Sequence, residues 1–307
     1  MTIPAPFSPF ISGYTFFESP RWHDGQLWLS DFYTQQIVRV TLQGEVTPVA
    51  EVPEQPSGMG WLPDGRLLVV SMRDRRILRQ EADGKLVTHA DLSSVALGHI
   101  NDMVVDAQGR AYVGNFGFDL MGGGTPHTAT LARVDADGSV HEAATGLYFP
   151  NGSMITPDGK TLIVGETMGN RISAFDIQAD GALGPRRDWA SFGPLPTLTD
   201  IGTVLGSLKA APDGATLDAE GAVWFADAIG NRVVRMAPGG EILDSISTGA
   251  LGAFACTLGG PGGRTLFICV APDFNEHARQ QAREASVWTT QVGVPSASGT
   301  LVITGLP

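Results

Sequence analysis

The sequence repeats one short pattern six times, and this period constrains the fold more than any other feature. Each copy is a glycine-centred turn followed by a run of apolar strand formers, as in residues 61–70 and 156–165. The turn glycines are spaced 40 to 62 residues apart and are Gly25, Gly65, Gly109, Gly159, Gly221 and Gly263. A period near forty that holds several short strands is typical of a β-propeller blade. Helical repeats would instead show apolar residues at three- and four-residue spacing.

Each repeat is predicted to form four antiparallel strands, so the sequence predicts an all-β, six-bladed propeller. Asp-Gly pairs favour hairpins, because glycine adopts positive φ freely and aspartate bonds its own backbone. Closing the ring removes most exposed sheet edges. We therefore expect residues 1–307 to form a single domain in which segment 7–14 joins the last sheet beside segment 286–292. For residues 293–307 two alternatives stay open, a tail or a further edge strand.

Composition narrows the classes of partner. The net charge of −12 argues against nucleic acid and anionic membranes, since both bind clustered Lys and Arg. No apolar run reaches membrane-spanning length, and the N-terminus lacks the basic and apolar regions of a secretory signal, which favours a cytoplasmic protein. Cys256 and Cys269 have no metal-finger or redox spacing, so we expect buried thiols. The oligomeric state cannot be predicted.

One position of the repeat carries metal-ligand chemistry. It lies eight residues before the turn glycine, or seven in the first repeat, and we call it the ligand slot. The six slots hold Glu18, Ser57, Asn101, Asn151, Asp213 and Ala255. Asn and Asp before glycine are also common turn formers, so the shared register is what favours ligands over turns.

The innermost strands of a propeller begin near its axis, so the four acid and amide slots are predicted to converge there. Two carboxylates and two amide oxygens suit a hard divalent cation. Ca²⁺ is the first expectation, with Mg²⁺, Mn²⁺, Fe²⁺ or Zn²⁺ as alternatives. Three or four protein ligands would leave positions open for water and substrate, as at catalytic metals.

Five stretches resemble the regucalcin and gluconolactonase family, also called the senescence marker protein or luciferin-regenerating enzyme family. They are ESPRW (18–22), NDMVVDAQGR (101–110), PNGS (150–153), TPDGKTL (156–162) and PDGATLD (212–218). The resemblance implies a six-bladed propeller that binds one divalent cation and hydrolyses small-molecule lactones. It implies Glu18, Asn151 and Asp213 as metal ligands, Asp213 as general base, and Asn101 as a substrate-facing or additional metal-shell residue.

The chain departs from the family at one position. Sugar-lactone members often carry Arg two residues before the Asn of the Asn-Asp motif, whereas this chain carries His99. A less polar lactone is therefore an alternative to a sugar lactone. His99 is a candidate catalytic residue that orients substrate or moves a proton, or else a structural histidine.

Other features leave further alternatives. Glu166 is a weaker candidate for a residue at the mouth of the propeller's central channel. Loops 122–127 and 192–211 are candidates for shaping a substrate pocket there. A phosphotriester hydrolase could use the same fold and metal, and a non-enzymatic propeller that acts as a binding scaffold would not need the metal ligands.

Overall fold

The computed structural model of the protein describes residues 7–297, which form six four-stranded antiparallel sheets. The predicted six-bladed all-β propeller is confirmed. The first three blades contain β2 (Phe17–His23), β3 (Gln26–Asp31), β4 (Gln36–Val40), β5 (Val46–Glu51), β6 (Pro56–Trp61), β7 (Leu67–Ser71), β8 (Arg76–Gln80), β9 (Leu86–Asp91), β10 (Ile100–Val105), β11 (Ala111–Asn115), β12 (Ala129–Val134) and β13 (Val140–Leu147).

The sixth blade takes its outermost strand from the start of the chain. The last three blades contain β14 (Pro150–Ile155), β15 (Thr161–Glu166), β16 (Arg171–Asp176), β17 (Arg187–Ser191), β18 (Pro212–Leu217), β19 (Val223–Asp227), β20 (Arg232–Met236), β21 (Ile242–Ser247), β22 (Gly252–Gly259), β23 (Thr265–Ala271), β24 (Ala285–Gln291) and β1 (Ser8–Tyr14). The order in this blade is β22-β23-β24-β1, with Trp288 opposite Pro9. The two ends of the described chain thus meet in one sheet.

The hairpin turns sort the loops onto two faces. All six turn glycines join the first and second strands of a blade and have φ between 67° and 86°, a region that favours glycine. The loops from second to third strand, and from one blade to the next, lie at the opposite end. We call that end the site face. Both helices, α1 (Ile201–Ser207) and α2 (Glu276–Gln281), lie in loops of the site face.

The sheets pack on one another through apolar side chains. The largest fully buried side chains include Trp224, Tyr112, Phe17 and Phe175. Cys256 and Cys269 are buried and free, as expected for thiols that act as small apolar residues. No helix within residues 7–297 is long and apolar enough to cross a membrane.

The C-terminal segment is described only as far as residue 297. Ser296 forms a β-bridge with Asp218, and the backbone N–H of Ala297 donates to the carbonyl of Leu217 at 3.0 Å. The segment therefore leaves the sixth blade and touches the fifth, on the face opposite the site. The alternatives for residues 298–307 lie outside the described residues.

Candidate functional site

The four acid and amide slots line one cavity on the site face. Glu18, Asn101, Asn151 and Asp213 are each the second residue of an innermost strand, in β2, β10, β14 and β18. We call these four residues the floor of the cavity. Because each strand begins near the axis, residues up to 195 positions apart in sequence meet in one place.

A break in strand pairing lies at or directly after the slot in the four blades that have a floor residue, and also in the second blade, whose slot is Ser57. The pairing register shifts between Glu18 and Arg21, between Asn151 and Met154, and at the matching positions of β10 and β18. Such β-bulges turn a side chain away from its regular direction and are frequent beside active sites. The floor residues thus lie at bulged strand starts.

The glycines that follow the slots show whether the preceding Asn and Asp are turn formers. Asn151-Gly152 and Asp213-Gly214 lie inside strands β14 and β18 rather than in turns. A Cβ on Gly152 would lie 2.2 Å from the carbonyl oxygen of Asp213, so glycine is required where adjacent innermost strands touch. The glycine therefore serves inter-blade packing, and a turn does not explain the Asn and Asp that precede it.

The floor residues contact one another and the neighbouring blades. The amide nitrogen of Asn151 donates to the Asp213 carboxylate. The Ser57 hydroxyl, from the slot of the second blade, donates to Oδ1 of Asn101 at 3.0 Å. The Glu18 carboxylate accepts from the backbone N–H of Ser19 at 3.0 Å. Four of the six slots are thus bonded in pairs across neighbouring blades, and Glu18 lines the same cavity as three of them.

Acidic side chains are concentrated at the floor, where Glu18 and Asp213 lie near the buried Asp102. Burial, followed by the charge of Asp213, raises the pKa of Glu18 well above its usual value. Burial, followed by the charge of Asp102, likewise raises the pKa of Asp213. Asp102 itself is buried and accepts from Arg21 at 2.6 Å. Within residues 7–297 neither Glu18 nor Asp213 forms an ion pair with a basic side chain. A divalent cation would supply the missing positive charge.

A second recurring position holds the backbone beside the floor, in the neighbouring strand of the same blade. Asp31, Glu166 and Asp227 each end the second strand of a blade, and all three are buried. Their carboxylates accept backbone N–H bonds from Phe16 (2.8 Å), Tyr148 (2.8 Å) and Ala211 (3.0 Å), two or three residues before Glu18, Asn151 and Asp213. We call these three residues the brace carboxylates. They fix the backbone that carries the three ligands implied by the family resemblance.

Glu166 therefore does not lie at the mouth of the central channel, for which the sequence made it a candidate. Its carboxylate forms an ion pair with Arg171 at 2.7 Å and is fully buried, and Glu166 is not among the residues that line the cavity. The brace positions fall six or seven residues after the turn glycines Gly25, Gly159 and Gly221. That recurring acid could have been found in the sequence and was missed.

The rest of the cavity is apolar, which the sequence did not indicate. Six aromatic residues line it: Phe16, Phe32, Phe116, Phe149, Phe254 and Phe274. Larger aliphatic side chains complete it: Leu120, Met121, Met168, Ile201, Leu205 and Ile229. We call these twelve residues the wall. Ile201 and Leu205 come from loop 192–211, as expected. The other candidate loop, 122–127, contributes no lining residue, and Leu120 and Met121 directly precede it.

His99 does not line the cavity. Its ring lies 5.8 Å from that of Phe116, a wall residue, measured between ring centroids. Burial, followed by the charge of Arg73, lowers the pKa of His99, which favours the neutral ring. A direct role for His99 in the reaction stays a prediction.

Residues 16–272 match the family model described as the SMP-30/Gluconolactonase/LRE-like region. The chain belongs to this family. The family members most similar in sequence include a 6-deoxy-6-sulfogluconolactonase of Pseudomonas putida, 26% identical over 290 residues that cover 92% of each chain. A pentonolactonase of Haloferax volcanii is 26% identical over 260 residues, covering 83% of this chain and 81% of the relative.

A solved structure has the same fold. The calcium-binding protein regucalcin of Agrobacterium tumefaciens superposes with a TM-score of 0.76 over 96% of this chain and 97% of its own, at 19% identity. The match supports the propeller architecture over nearly the whole of the described chain.

Proposed function

We propose that the protein is a divalent-metal-dependent lactonase whose reaction takes place on the floor of the site-face cavity. The observation that carries this proposal is the floor itself, in which two buried carboxylates and two amides from four blades meet without a basic partner. Family members named as lactonases, in Pseudomonas putida and Haloferax volcanii, support the same reaction class.

The residues present fit a hard cation. Within residues 7–297 no three His, Cys, Asp or Glu side chains cluster as a metal site, so the proposed ligand set includes amide oxygens. Glu18, Asn151 and Asp213 would hold the cation, and Asn101 would complete the shell or face the substrate. An all-oxygen set of this kind favours Ca²⁺. When bound, the cation supplies Lewis-acid polarisation of the lactone carbonyl.

The chain's own residues then carry the proton and hold the substrate. Asp213 takes a proton from the attacking water as that water bonds to the carbonyl carbon. The ring C–O bond breaks, the proton passes to the released ring oxygen, and the product is the open hydroxy acid. The Ser57 hydroxyl donates to Oδ1 of Asn101, so the Asn101 amide nitrogen remains available to donate to a substrate oxygen.

The proposal is tested by hydrolysis before and after metal removal. Purified protein is assayed for acid release from a lactone panel, treated with a chelator, and assayed again after Ca²⁺, Mg²⁺, Mn²⁺ or Zn²⁺ is returned. We expect activity to be lost on chelation and restored by at least one cation, with about one metal bound per chain by elemental analysis. Activity that survives complete metal removal would contradict the proposal.

A parallel panel of aryl phosphotriesters separates attack on carbon from attack on phosphorus. Preference for the phosphotriester after correction for the uncatalysed rates would replace the lactonase assignment. Absence of any hydrolysis, together with binding that a chelator leaves unchanged, would favour a non-enzymatic scaffold.

A further inference from the structure

We infer that the lactone carries a hydrocarbon or aromatic substituent rather than a polyhydroxylated chain. This inference rests on the proposed lactonase function and specifies its substrate class. The observation that supports it is a contrast within the cavity. The polar lining residues lie on the floor, with one exception, whereas the wall is apolar.

Apart from the Asn101 amide nitrogen, the uncharged polar groups of the cavity already have partners. Besides the floor, Thr167 is the one polar residue that lines the cavity in the described chain, and its hydroxyl donates to the Pro212 carbonyl at 2.8 Å. Oδ1 of Asn151 accepts from the Gly152 N–H at 2.9 Å, and its nitrogen faces Asp213. Most hydroxyls of a sugar lactone buried here would lose water without gaining partners, which opposes binding.

The cavity also lacks a group for an anionic substituent. Within residues 7–297, no Lys, Arg or His lines it, and the floor is itself acidic. A sulfonated sugar lactone, the kind of substrate named for the Pseudomonas putida relative, would bring an anionic group into a cavity whose lining includes no basic side chain in the described chain. The wall therefore offers that substrate class no ion-pair partner even though the family is shared.

The wall offers aromatic surfaces at packing distance. Phe116 and Phe149 lie 4.5 Å apart between ring centroids, and Phe16 and Phe254 lie 4.8 Å apart. Towards solvent the wall ends in side chains that stay partly exposed, with Ile229 41% and Phe274 50% exposed. Exposed apolar side chains continuous with an apolar cavity are typical of a binding surface for an apolar ligand.

The first test compares three six-membered lactones of matched ring size: δ-valerolactone, δ-decalactone and glucono-1,5-lactone. Rates are corrected for uncatalysed hydrolysis. We expect kcat/KM to rise from δ-valerolactone to δ-decalactone, by up to about fourfold for each methylene that is buried. We expect δ-decalactone to exceed the gluconolactone by roughly tenfold or more. Equal or better use of the gluconolactone would overturn the inference and leave the lactonase function standing.

The second test uses non-hydrolysable lactams, so that binding is measured even if no lactone is turned over. The pentyl-substituted δ-lactam and gluconolactam are titrated into the metal-loaded protein by calorimetry. Tighter binding of the pentyl lactam supports the inference, and equal binding or none contradicts it. Tight lactam binding without any lactone hydrolysis would overturn the proposed function alone.

A matched pair of variants locates the effect. Ile229→Ser changes a wall residue, whereas Ile242→Ser changes an isoleucine of similar exposure (50%) in β21 of the same blade, outside the cavity lining. We expect Ile229→Ser to lower kcat/KM for δ-decalactone roughly tenfold with little change for δ-valerolactone. Ile242→Ser should match the wild type, and equal effects of the two variants would contradict the inference.

Discussion

The floor and the wall of the same cavity differ in how the sequence encodes them. The floor residues occupy one register of a six-fold repeat, each second in an innermost strand. Most wall residues come from site-face loops of different lengths, including α1 and the segment around Phe274, although Phe16 and Phe149 each lie two residues before a floor residue. The difference indicates that the propeller fixes where the chemistry takes place, whereas the loops decide which molecule reaches it.

The largest effect is expected on the floor, from Asp213→Asn. The substitution keeps the shape of the side chain but removes the proposed base, so kcat for a lactone should fall roughly 10²- to 10⁴-fold. Affinity for the pentyl lactam, which depends on the wall, should change little. Steady-state kinetics and calorimetry on one preparation measure both. Unchanged kcat would remove the assignment of Asp213.

The next effect is expected at the brace carboxylates, for which the fifth blade offers a matched pair. Asp227 and Asp218 are both buried, and each carboxylate accepts at least one backbone N–H bond and pairs with an arginine. Only Asp227 bonds the backbone next to a floor residue. We expect Asp227→Asn to weaken metal affinity roughly 10- to 100-fold, as supporting residues of metal ligands do. Asp218→Asn should leave metal affinity unchanged.

The measurement must separate weaker positioning of the metal ligands from a loss of stability, because either substitution can lower the free energy of unfolding. Metal titration under conditions where both variants are folded, with circular dichroism as the check, makes that separation. Equal metal affinities for the two variants would mean that the brace carboxylates only stabilise the fold.

A smaller effect is expected from Ser57→Ala. The Ser57 hydroxyl donates the bond that orients the Asn101 amide. A hydrogen bond of this kind contributes about 1 kcal/mol, so kcat/KM should fall roughly fivefold. Kinetics with a single lactone measure the change, and an unchanged value would show that Asn101 is oriented by other contacts.

The smallest effect is expected at the rim of the wall, from Phe274→Ala. Because half of this side chain is exposed, its loss should raise KM for an apolar lactone only about two- to fivefold, without changing kcat. Leu97→Ala, at a more exposed residue outside the cavity lining, is the control. A fall in kcat for Phe274→Ala would instead place this residue in the reaction itself.

The sequence predicted those parts of the molecule that repeat. The fold followed from the spacing of the turn glycines, and the convergence of Glu18, Asn101, Asn151 and Asp213 followed from their common register. The brace carboxylates also repeat but were missed, since Asp31, Glu166 and Asp227 resemble ordinary strand-end acids until their backbone partners are known. Much of the wall could not be predicted, because Met121, Ile201 and Phe274 approach the cavity only through loop paths that no local pattern specifies.

The most direct test of the account is titration of chelated, metal-free protein with Ca²⁺ by isothermal calorimetry, beside the Glu18→Gln/Asp213→Asn double variant. The account predicts one saturable site per chain in the wild type and none in the double variant, with both proteins folded by circular dichroism. Ca²⁺ binding that survives in the double variant, or lactone hydrolysis by a wild type that binds no divalent cation, would contradict it.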